Sequence, residues 1–287
     1  MPASLLEGKV IASKIKEGLA KEIEGFKAKY NTAPTLATVQ LGQNQASSVY
    51  LKSQMKTAEK LGIDFKLHNL YEKTSEKELM DYLKKLNEDE SVHGILVQMP
   101  LPQHINAKEI SFYINPAKDV EGMHPENLGK IIFGRATIAP CTAMAAFELI
   151  KSTGIDLYGK EAVVVGHSEI VGKPVSLLLV DKFATVTTCH IGTGERGNLP
   201  EHVKRAEILV VAVGKAGLIK GEWIKEGAIV IDVGINKVGD KIVGDVEFEE
   251  AQKHASYITP VPGGVGPLTV TILMRNVVEA FKFQRSI

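Results

Sequence analysis

A glycine-containing turn at residues 163–174 has the composition of a phosphate-binding loop. The segment reads VVVGHSEIVGKP, so an apolar run ends at Gly166 and a second glycine, Gly172, precedes a lysine and a proline. A strand, a glycine turn and a helix in this order bring backbone N–H groups and a helix dipole to a pyrophosphate. Ser168 replaces the middle glycine of the GxGxxG pattern, and ordinary strand–helix turns also use glycine. Alone, the segment fits a dinucleotide site and an ordinary turn about equally.

The segment that would select between NAD and NADP lies about 20 residues beyond the first glycine, where an acid favours NAD and a nearby arginine favours NADP. Residues 189–193 read CHIGT and contain neither. His167 could offer partial positive charge, but imidazole is mostly neutral at pH 7. The cofactor stays open between NAD and NADP, with a lean toward NAD.

Three further side chains could contact a planar ligand. Tyr50 and Gln54 lie four residues apart in a helix-like segment, so they share one helix face, where a ring could stack and an amide could hydrogen-bond. An ordinary half-buried helix face explains the same spacing. Gln98 follows the apolar run 94–97, at the end of a strand where parallel sheets bind ligands.

Two loops add acidic and backbone groups. Asp119 and Glu121 flank a valine, where a solvated acidic turn is the simpler interpretation. The run PVPGGVGP at 260–267 could let a backbone approach a ligand, or could be a stiff connection. Cys141 and Cys189 are far apart, the histidines lack metal-ligand spacing, and GxSxG is missing from the sequence. We therefore expect no metal and no hydrolase elbow.

The composition excludes several classes of protein. The 287 residues include 34 basic and 34 acidic side chains, so nothing favours nucleic acid or an acidic membrane as a partner. Two cysteines provide no disulfide framework. No uncharged apolar run approaches the ~20 residues that cross a bilayer, and charged residues interrupt the amino terminus before a signal sequence could form. We expect a soluble, cytoplasmic protein of two domains.

These candidates are spaced along alternating strand-like and helix-like segments. Strands are predicted at residues 35–41, 65–70, 94–98, 161–165, 185–189, 208–213 and 228–233. Helices are predicted at residues 10–30, 47–61, 142–153, 172–183 and 268–283, and after a Ser75–Glu78 capping box. Residues 115–135 lack a clear period and are predicted to form a long loop. The alternation predicts a parallel, layered α/β fold.

Taken together, seven segments resemble the bifunctional methylenetetrahydrofolate dehydrogenase/methenyltetrahydrofolate cyclohydrolase family over essentially the whole chain. They are SVY at 48–50, GILVQMPLP at 94–102, KDVEG at 118–122, PCT at 140–142, the turn at 166–174, IDVGIN at 231–236 and residues 259–269. The resemblance implies a homodimer with a cleft that holds the folate between two domains. Residues 1–143 and 268–287 would form an α/β folate-binding domain, and residues 144–267 a Rossmann-like NAD(P)-binding domain. The resemblance does not decide whether the protein associates with other enzymes of one-carbon metabolism.

The resemblance also implies roles for matching residues. Tyr50 would stack on the aminobenzoyl ring of tetrahydrofolate, and Gln98 would contact the reacting centre. The implied catalytic residues are Tyr50, Gln54, Gln98 and Glu121, and the folate site adds Val97, Met99, Pro262, Gly263 and Gly264. The implied dinucleotide site contains Gly166, His167, Ser168, Gly172, Ile191 and Ile235.

The chain departs from the family pattern at several of these positions. Gln54 stands where the family has a lysine, and Glu121 is one methylene longer than the family's aspartate. His167 replaces the arginine, and Ile191 the serine, that hold the 2′-phosphate of NADP in the family. These two changes support the lean toward NAD.

The glutamine at position 54 is expected to affect the family's two reactions differently. Hydride transfer from the methylene bridge needs alignment and exclusion of water, but no side-chain proton transfer. Hydrolysis of the methenyl cation needs an activated water and a proton donor, and an amide does not titrate near neutral pH. We therefore predict NAD(P)-dependent oxidation of 5,10-methylenetetrahydrofolate with weak or absent cyclohydrolase activity. The alternatives are a fully bifunctional enzyme and a non-catalytic folate- or nucleotide-binding subunit; a shikimate-type dehydrogenase would explain only the Rossmann half.

Overall fold

The structure, a computed structural model, describes residues 2–42 and 45–287, with the side chains of residues 45–47 excluded. Its elements fall into two compact units. The six-stranded unit comprises Met1–Ser13 and Pro140–Thr269, and the three-stranded unit comprises Lys14–Ala139 and Val270–Ile287. This division confirms the predicted two-domain α/β class.

Strands and helices alternate along much of the chain. The strands are β1 (Ser4–Leu5), β2 (Thr35–Leu41), β3 (Asp64–Leu70), β4 (Gly94–Val97), β5 (Glu161–Val165), β6 (Thr185–Cys189), β7 (Ile208–Val211), β8 (Ile229–Asp232), β9 (Asn236–Val238), β10 (Lys241–Val243) and β11 (Tyr257–Ile258). The helices are α1 (Gly8–Tyr30), α2 (Gln45–Leu61), α3 (Glu76–Glu88), α4 (Ala107–Tyr113), α5 (Pro125–Ile132), α6 (Cys141–Ser152), α7 (Gly172–Val180), α8 (Ile191–Glu195), α9 (Leu199–Arg205), α10 (Phe248–His254) and α11 (Val265–Arg285).

The three-stranded unit has a parallel sheet in the order β3-β2-β4. The central strand β2 is buried along its whole length, as expected for a parallel strand covered on both faces. One face carries Ala37, Val39, Ile95 and Val97 into an apolar core that includes residues of α3 and α4. The other face therefore carries Thr38 of β2 and, just past β4, Gln98, because strand side chains alternate between the faces.

The six-stranded unit has an all-parallel sheet in the order β1-β11-β8-β7-β5-β6. Its central strands β5, β7 and β8 are rich in valine and isoleucine and are almost entirely buried. Parallel pairing of this kind needs crossover connections, which the intervening helices supply. The predicted Rossmann-like sheet is confirmed.

The division between the units differs from the predicted domains at the amino terminus. Ser4 pairs with Tyr257 and Leu5 with Ile258, so β1 joins the six-stranded sheet. Met1–Ser13 consequently belongs to that unit rather than to the unit formed by most of the first half. A two-residue strand is too short for hydrophobic periodicity to reveal.

The predicted loop at 115–135 was wrong over part of its length, because α5 lies within it. Helix α5 starts with a proline, and His124 caps it by accepting a hydrogen bond at Nδ1 from the Glu126 backbone N–H (3.1 Å). Eight residues are only about two turns, too few to establish a helical period. The short helices α4, α8, α9 and α10 and the β9–β10 hairpin were missed for the same reason.

Candidate active site

Two buried glutamines meet at the carboxyl end of β4. Gln98 Nε2 donates a hydrogen bond to Gln54 Oε1 of α2 at 2.6 Å, and the exposed fractions are 0% for Gln54 and 6% for Gln98. The backbone N–H of Gln98 donates to the carbonyl of Val39 at 2.8 Å, which continues the sheet pairing one residue beyond β4. Both amides are therefore held in place, one by a strand end and the other by a helix.

Several buried polar atoms in this unit have no hydrogen-bond partner among the described residues, and two of them bear on this site. They are Nε2 of Gln54 and Oγ1 of Thr38, whose strand position puts it on the same sheet face as Gln98. A buried donor or acceptor without a partner costs about 1–3 kcal/mol. Both atoms would thus be better satisfied by a polar ligand or a water molecule. Tyr50, one helical turn before Gln54, is 37% exposed.

The acidic loop beside β4 contains two carboxyl groups in different environments. A parallel bridge joins Ile95 to Asp119, and Asp119 is almost fully buried. Its oxygens accept hydrogen bonds from the N–H of Gly122 (3.0 Å), the N–H of His124 (2.7 Å) and Nδ2 of Asn127 (3.0 Å). Asp119 therefore organises the loop, which is not a solvated acidic turn.

Glu121 is half-buried and makes no hydrogen bond to any other described residue. Burial raises the pKa of its carboxyl to about 8, with a smaller contribution from the neighbouring Asp119 carboxylate. An acid with a pKa this close to neutrality can both take up and release a proton under ordinary conditions.

Val97 and Met99, the residues on either side of Gln98, differ in burial. Val97 lies in the apolar core with α3 and is 2% exposed, and its place in the folate site stays a prediction. Met99 is exposed just beyond the strand.

In the six-stranded unit, the predicted glycine turn follows β5. Gly166 has φ +123°, and a Cβ there would lie 2.3 Å from the carbonyl oxygen of Ala212. A Cβ on Gly172 would lie 2.0 Å from the carbonyl oxygen of Gly166. Ser168 Oγ accepts a hydrogen bond from the Val171 N–H (3.2 Å), so this side chain shapes the turn itself. The close backbone approach at the start of α7 fits the pyrophosphate of a dinucleotide.

Next to this turn, two imidazoles lie close together. The rings of His167 and His190 have centroids 5.3 Å apart. His190 Nδ1 accepts a hydrogen bond from the Gly192 N–H at 3.2 Å and caps α8. Ile191 and Ile235 are 77% and 68% exposed, so both side chains are accessible to a ligand.

Sequence reasoning missed a pair of buried carboxylates in the six-stranded unit. Asp232 ends β8 and accepts hydrogen bonds from the N–H groups of Gly234 (2.9 Å), Asp245 (3.0 Å) and Val246 (2.9 Å). Burial raises the pKa of Asp232 to about 6, although these hydrogen bonds oppose the shift. The sequence did contain a signal for this buried acid, because Asp232 is the one charged residue in the strand IVID and ends it.

The second carboxylate, Asp245, is completely buried and collects donors from two loops. It accepts hydrogen bonds from the N–H groups of Val213 (2.7 Å), Gly214 (3.0 Å) and Lys215 (2.8 Å), and from Nδ2 of Asn236 (2.8 Å). The loops that follow β7 and β8 are thereby tied to one side chain. These are loops at the carboxyl edge of the sheet, where dinucleotides bind in such folds.

The proline- and glycine-rich run belongs to the same unit. Gly264 N–H donates to the carbonyl of Pro260 at 2.8 Å, and Gly8 N–H donates to the carbonyl of Gly263 at 3.0 Å. The run is therefore a closed turn that packs on the start of α1. Its other predicted site residue, Pro262, lies within this turn.

Two further observations concern metals and membranes. Within the described ranges, no group of three or more His, Cys, Asp or Glu side chains is arranged to hold a metal ion. None of the helices in the part of the chain that the structure describes is long and apolar enough to cross a membrane.

A glycine turn at the carboxyl edge of an all-parallel sheet is characteristic of dinucleotide-binding α/β enzymes, and the chain is of that class. Residues 6–121 match the family model described as tetrahydrofolate dehydrogenase/cyclohydrolase, catalytic domain, and residues 140–285 match its NAD(P)-binding domain. The chain belongs to the tetrahydrofolate dehydrogenase/cyclohydrolase family.

Relatives similar over their full length accompany these matches. Bifunctional protein FolD of Bacillus subtilis is 50% identical, with 98% of this chain and 99% of the relative covered. Among solved structures, the bifunctional enzyme FolD of Campylobacter jejuni has a TM-score of 0.94 at 44% identity, with 98% and 99% covered. The Trypanosoma brucei enzyme, complexed with NADP and an inhibitor, has a TM-score of 0.94 at 37% identity, with 100% of both chains covered.

Proposed function

We propose that the chain oxidises 5,10-methylenetetrahydrofolate to the 5,10-methenyl cation with NAD(P), and then hydrolyses this cation to 10-formyltetrahydrofolate. The observation that carries the proposal is the buried Gln54–Gln98 pair with its unpartnered Nε2, in a family member half identical to bifunctional relatives. The predicted loss of cyclohydrolase activity, based on Gln54, finds no support in these relatives. Their names favour the bifunctional alternative.

In the first reaction, the residues of this chain position the substrate. Tyr50 stacks on the aminobenzoyl ring, and the amides of Gln54 and Gln98 hydrogen-bond near the one-carbon unit. When bound, NAD or NADP supplies the hydride acceptor. Fixed neutral amides align the substrate without taking part in proton transfer, which is all that this step requires.

The direct test follows two products with the purified chain. Methylenetetrahydrofolate is supplied with NAD or NADP, and the reduced nucleotide, the methenyl cation and the 10-formyl product are quantified separately. We expect reduced nucleotide and 10-formyl product to form in turn, and the methenyl cation to decay faster than in buffer. Binding of folate and nucleotide without turnover would instead indicate the non-catalytic subunit.

For the cofactor, the proposal is a preference for NAD. It is supported by the lack of an arginine or lysine at positions 167 and 191, where imidazole and isoleucine stand instead. A 2′-phosphate is recognised best by a charged, forked donor such as arginine. The ratio of kcat/KM for the two nucleotides tests this preference, and a higher value for NADP contradicts it.

We also propose that the protein is a homodimer, as its family resemblance implies. Light scattering coupled to size-exclusion chromatography would give about twice the chain mass. A monomeric mass over the concentration range of the activity assay contradicts this part of the proposal.

A further inference from the structure

We propose that Thr38 and Gln40 are positioning residues, which hold the Gln54–Gln98 amide pair in place through one shared water molecule. Neither Thr38 nor Gln40 belongs to the site that the family resemblance implies. The effect on activity rests on the proposed function, whereas the water site rests only on the sheet and the helix of the three-stranded unit.

Thr38 and Gln40 lie on one face of the central strand β2. Residues two apart in a strand point to the same face and are separated by about 6–7 Å. Val39 pairs with Val97 of β4, and the Gln98 N–H donates a hydrogen bond to the Val39 carbonyl at 2.8 Å. Gln98 therefore lies beside Gln40, one strand spacing of about 4.8 Å away, with its side chain on the face that carries Thr38 and Gln40.

Helix α2 covers this face with a stripe of buried side chains that contains one polar member. The stripe consists of Leu51, Gln54, Ala58 and Leu61, whose three- and four-residue spacing places them along one side of the helix. Helix α2 joins β2 to β3, and the helix of such a crossover packs over the strands that it connects. Because α3 packs on the opposite face of the sheet, and Gln54 bonds to Gln98, the stripe faces the polar side of β2.

Three buried polar atoms on β2 and α2 have no hydrogen-bond partner among the described residues. They are Oγ1 of Thr38, Oε1 of Gln40 and Nε2 of Gln54, and the three residues are 0%, 7% and 0% exposed. The other end of the Gln40 amide donates to the carbonyl of Gly42 at 2.9 Å, and the other end of the Gln54 amide accepts from Gln98 at 2.6 Å. Each amide is thus fixed at one end, and leaving its second end unpaired in a buried layer is unfavourable.

One water molecule satisfies all three atoms. Its oxygen accepts a hydrogen bond from Gln54 Nε2, while its two hydrogens are donated to Gln40 Oε1 and Thr38 Oγ1. Three is the usual number of hydrogen bonds for a buried water molecule, and these atoms supply both the donor and the acceptors that it needs. All three side chains are uncharged, so the site suits neutral water rather than an ion.

The water ties the Gln54 side chain to β2 as well as to Gln98. Two attachments hold the amide in one position, and groups that are fixed in advance lower the cost of aligning a substrate. Under the proposed function, the aligned substrates are methylenetetrahydrofolate and its methenyl product. Thr38 and Gln40 act through Gln54, which makes them positioning residues.

A double-mutant cycle tests whether Thr38 and Gln54 share a partner. Thr38→Val removes the hydroxyl at nearly constant volume, and Gln54→Met removes the amide at similar length. Urea unfolding gives the shift in midpoint for each single variant and for the double variant. We expect the double variant to shift by clearly less than the sum of the single shifts, because the water is lost only once. Gln40→Met should couple to Gln54→Met in the same way, and additive shifts in both cycles overturn the inference.

Thr35→Val is the matched control for this cycle. Thr35 is also buried in β2, but it lies on the opposite face, and its Oγ1 donates to the carbonyl of Ala33 at 3.4 Å. Its shift should therefore add to that of Gln54→Met.

Steady-state kinetics tests the consequence for the reaction. Thr38→Val should lower kcat/KM for methylenetetrahydrofolate by about two- to tenfold, the effect of one ordinary hydrogen bond, and leave KM for the nucleotide unchanged. Thr38→Ser keeps the hydroxyl and should keep most of the activity. Wild-type activity in the valine variant, or equal losses in the valine and serine variants, overturns the inference, because the hydroxyl would then have no part in positioning.

A high-resolution crystal structure of the protein locates the water directly. We expect one water oxygen within about 3.2 Å of Thr38 Oγ1, Gln40 Oε1 and Gln54 Nε2. Direct hydrogen bonds among these three side chains, with no water between them, overturn the inference alone. A wild-type protein that does not turn over folate overturns the proposed function, whereas the unfolding cycle and the crystal structure still decide whether the water site exists.

Discussion

The carboxylate of Asp232 accepts a hydrogen bond from the backbone N–H of Asp245 at 3.0 Å, so that two buried acids adjoin in the six-stranded unit. Asp232 holds the backbone that carries Asp245, and Asp245 in turn holds the loops that follow β7 and β8. The order of this edge of the sheet therefore depends on two buried side chains that accept hydrogen bonds from the backbone.

The raised pKa of Asp232 predicts a pH-dependent stability. A carboxyl whose pKa is near 6 in the folded protein and near 3.8 when unfolded binds protons more tightly in the folded state, so its contribution to stability is greatest below about pH 4 and is lost as pH rises through 6. The free energy of unfolding of the wild type, relative to Asp232→Asn, should therefore fall by about 2 kcal/mol between pH 4 and pH 7. Urea unfolding at several pH values measures this difference, and a constant difference contradicts the prediction.

Asp245→Asn should weaken dinucleotide binding. The four donors that converge on Asp245 need two acceptor oxygens, and an amide NH₂ would face at least one N–H group. A buried donor without an acceptor costs about 1–3 kcal/mol, so the loop after β7 should lose its conformation and KM for NAD(P) should rise by about tenfold. The exposed Asp240→Asn, in the β9–β10 turn, is the matched control. Equal KM values in the two variants would contradict the role of Asp245.

Gln54→Lys, in the otherwise wild-type chain, should raise the rate of hydrolysis by at least about tenfold, because it adds a titratable group at the proposed folate site. The variant should also be less stable, since the lysine replaces a completely buried amide and must lose its hydration. Gln54→Met, similar in length but unable to donate, separates the gain of a proton carrier from the loss of the amide. Stopped-flow decay of the methenyl cation and thermal unfolding give the two quantities. No gain in rate would indicate that proton transfer does not limit hydrolysis.

The double substitution His167→Arg and Ile191→Ser should shift cofactor preference toward NADP. A guanidinium beside the turn after β5 would form charge-assisted hydrogen bonds to the 2′-phosphate, worth about 1.5–3 kcal/mol. This corresponds to roughly 10–100-fold in the ratio of kcat/KM for NADP over NAD. The shift should shrink at high ionic strength because added salt screens the new charge. An unchanged ratio would mean that the 2′-position lies elsewhere.

Gly172→Ala should disrupt the turn before α7. The added Cβ would lie 2.0 Å from the Gly166 carbonyl oxygen, which is backbone and cannot move away without deforming the turn. We expect the free energy of unfolding to fall by about 1–3 kcal/mol, as for other overpacked sites, and nucleotide binding to be lost. Gly25→Ala in α1 meets no atom within 4 Å and should instead be slightly stabilising, by up to about 1 kcal/mol. Denaturant unfolding and nucleotide titration distinguish the two alanine variants.

The amino-acid sequence by itself determined the elements whose cause is local. The apolar runs at 35–41 and 161–165, the glycine turn at Gly166 and the Ser75–Glu78 capping box all occur where the pattern predicts them. Hydrophobic period, capping and turn chemistry act over a few residues, so a single chain displays them directly. The family resemblance could also be found from the sequence alone, because it rests on short segments that occur in the family's order.

The tertiary structure alone decided which distant groups meet and what charge they can carry. Gln54 and Gln98 are 44 residues apart in sequence but share a hydrogen bond, and β1 joins the six-stranded sheet only through its pairing with β11. Asp119 and Glu121 look equivalent in sequence, yet the Asp119 side chain accepts three hydrogen bonds, whereas burial raises the pKa of Glu121 to about 8. Proton affinity depends on the atoms that surround a carboxyl group in space, and the order of residues along a chain does not specify those neighbours.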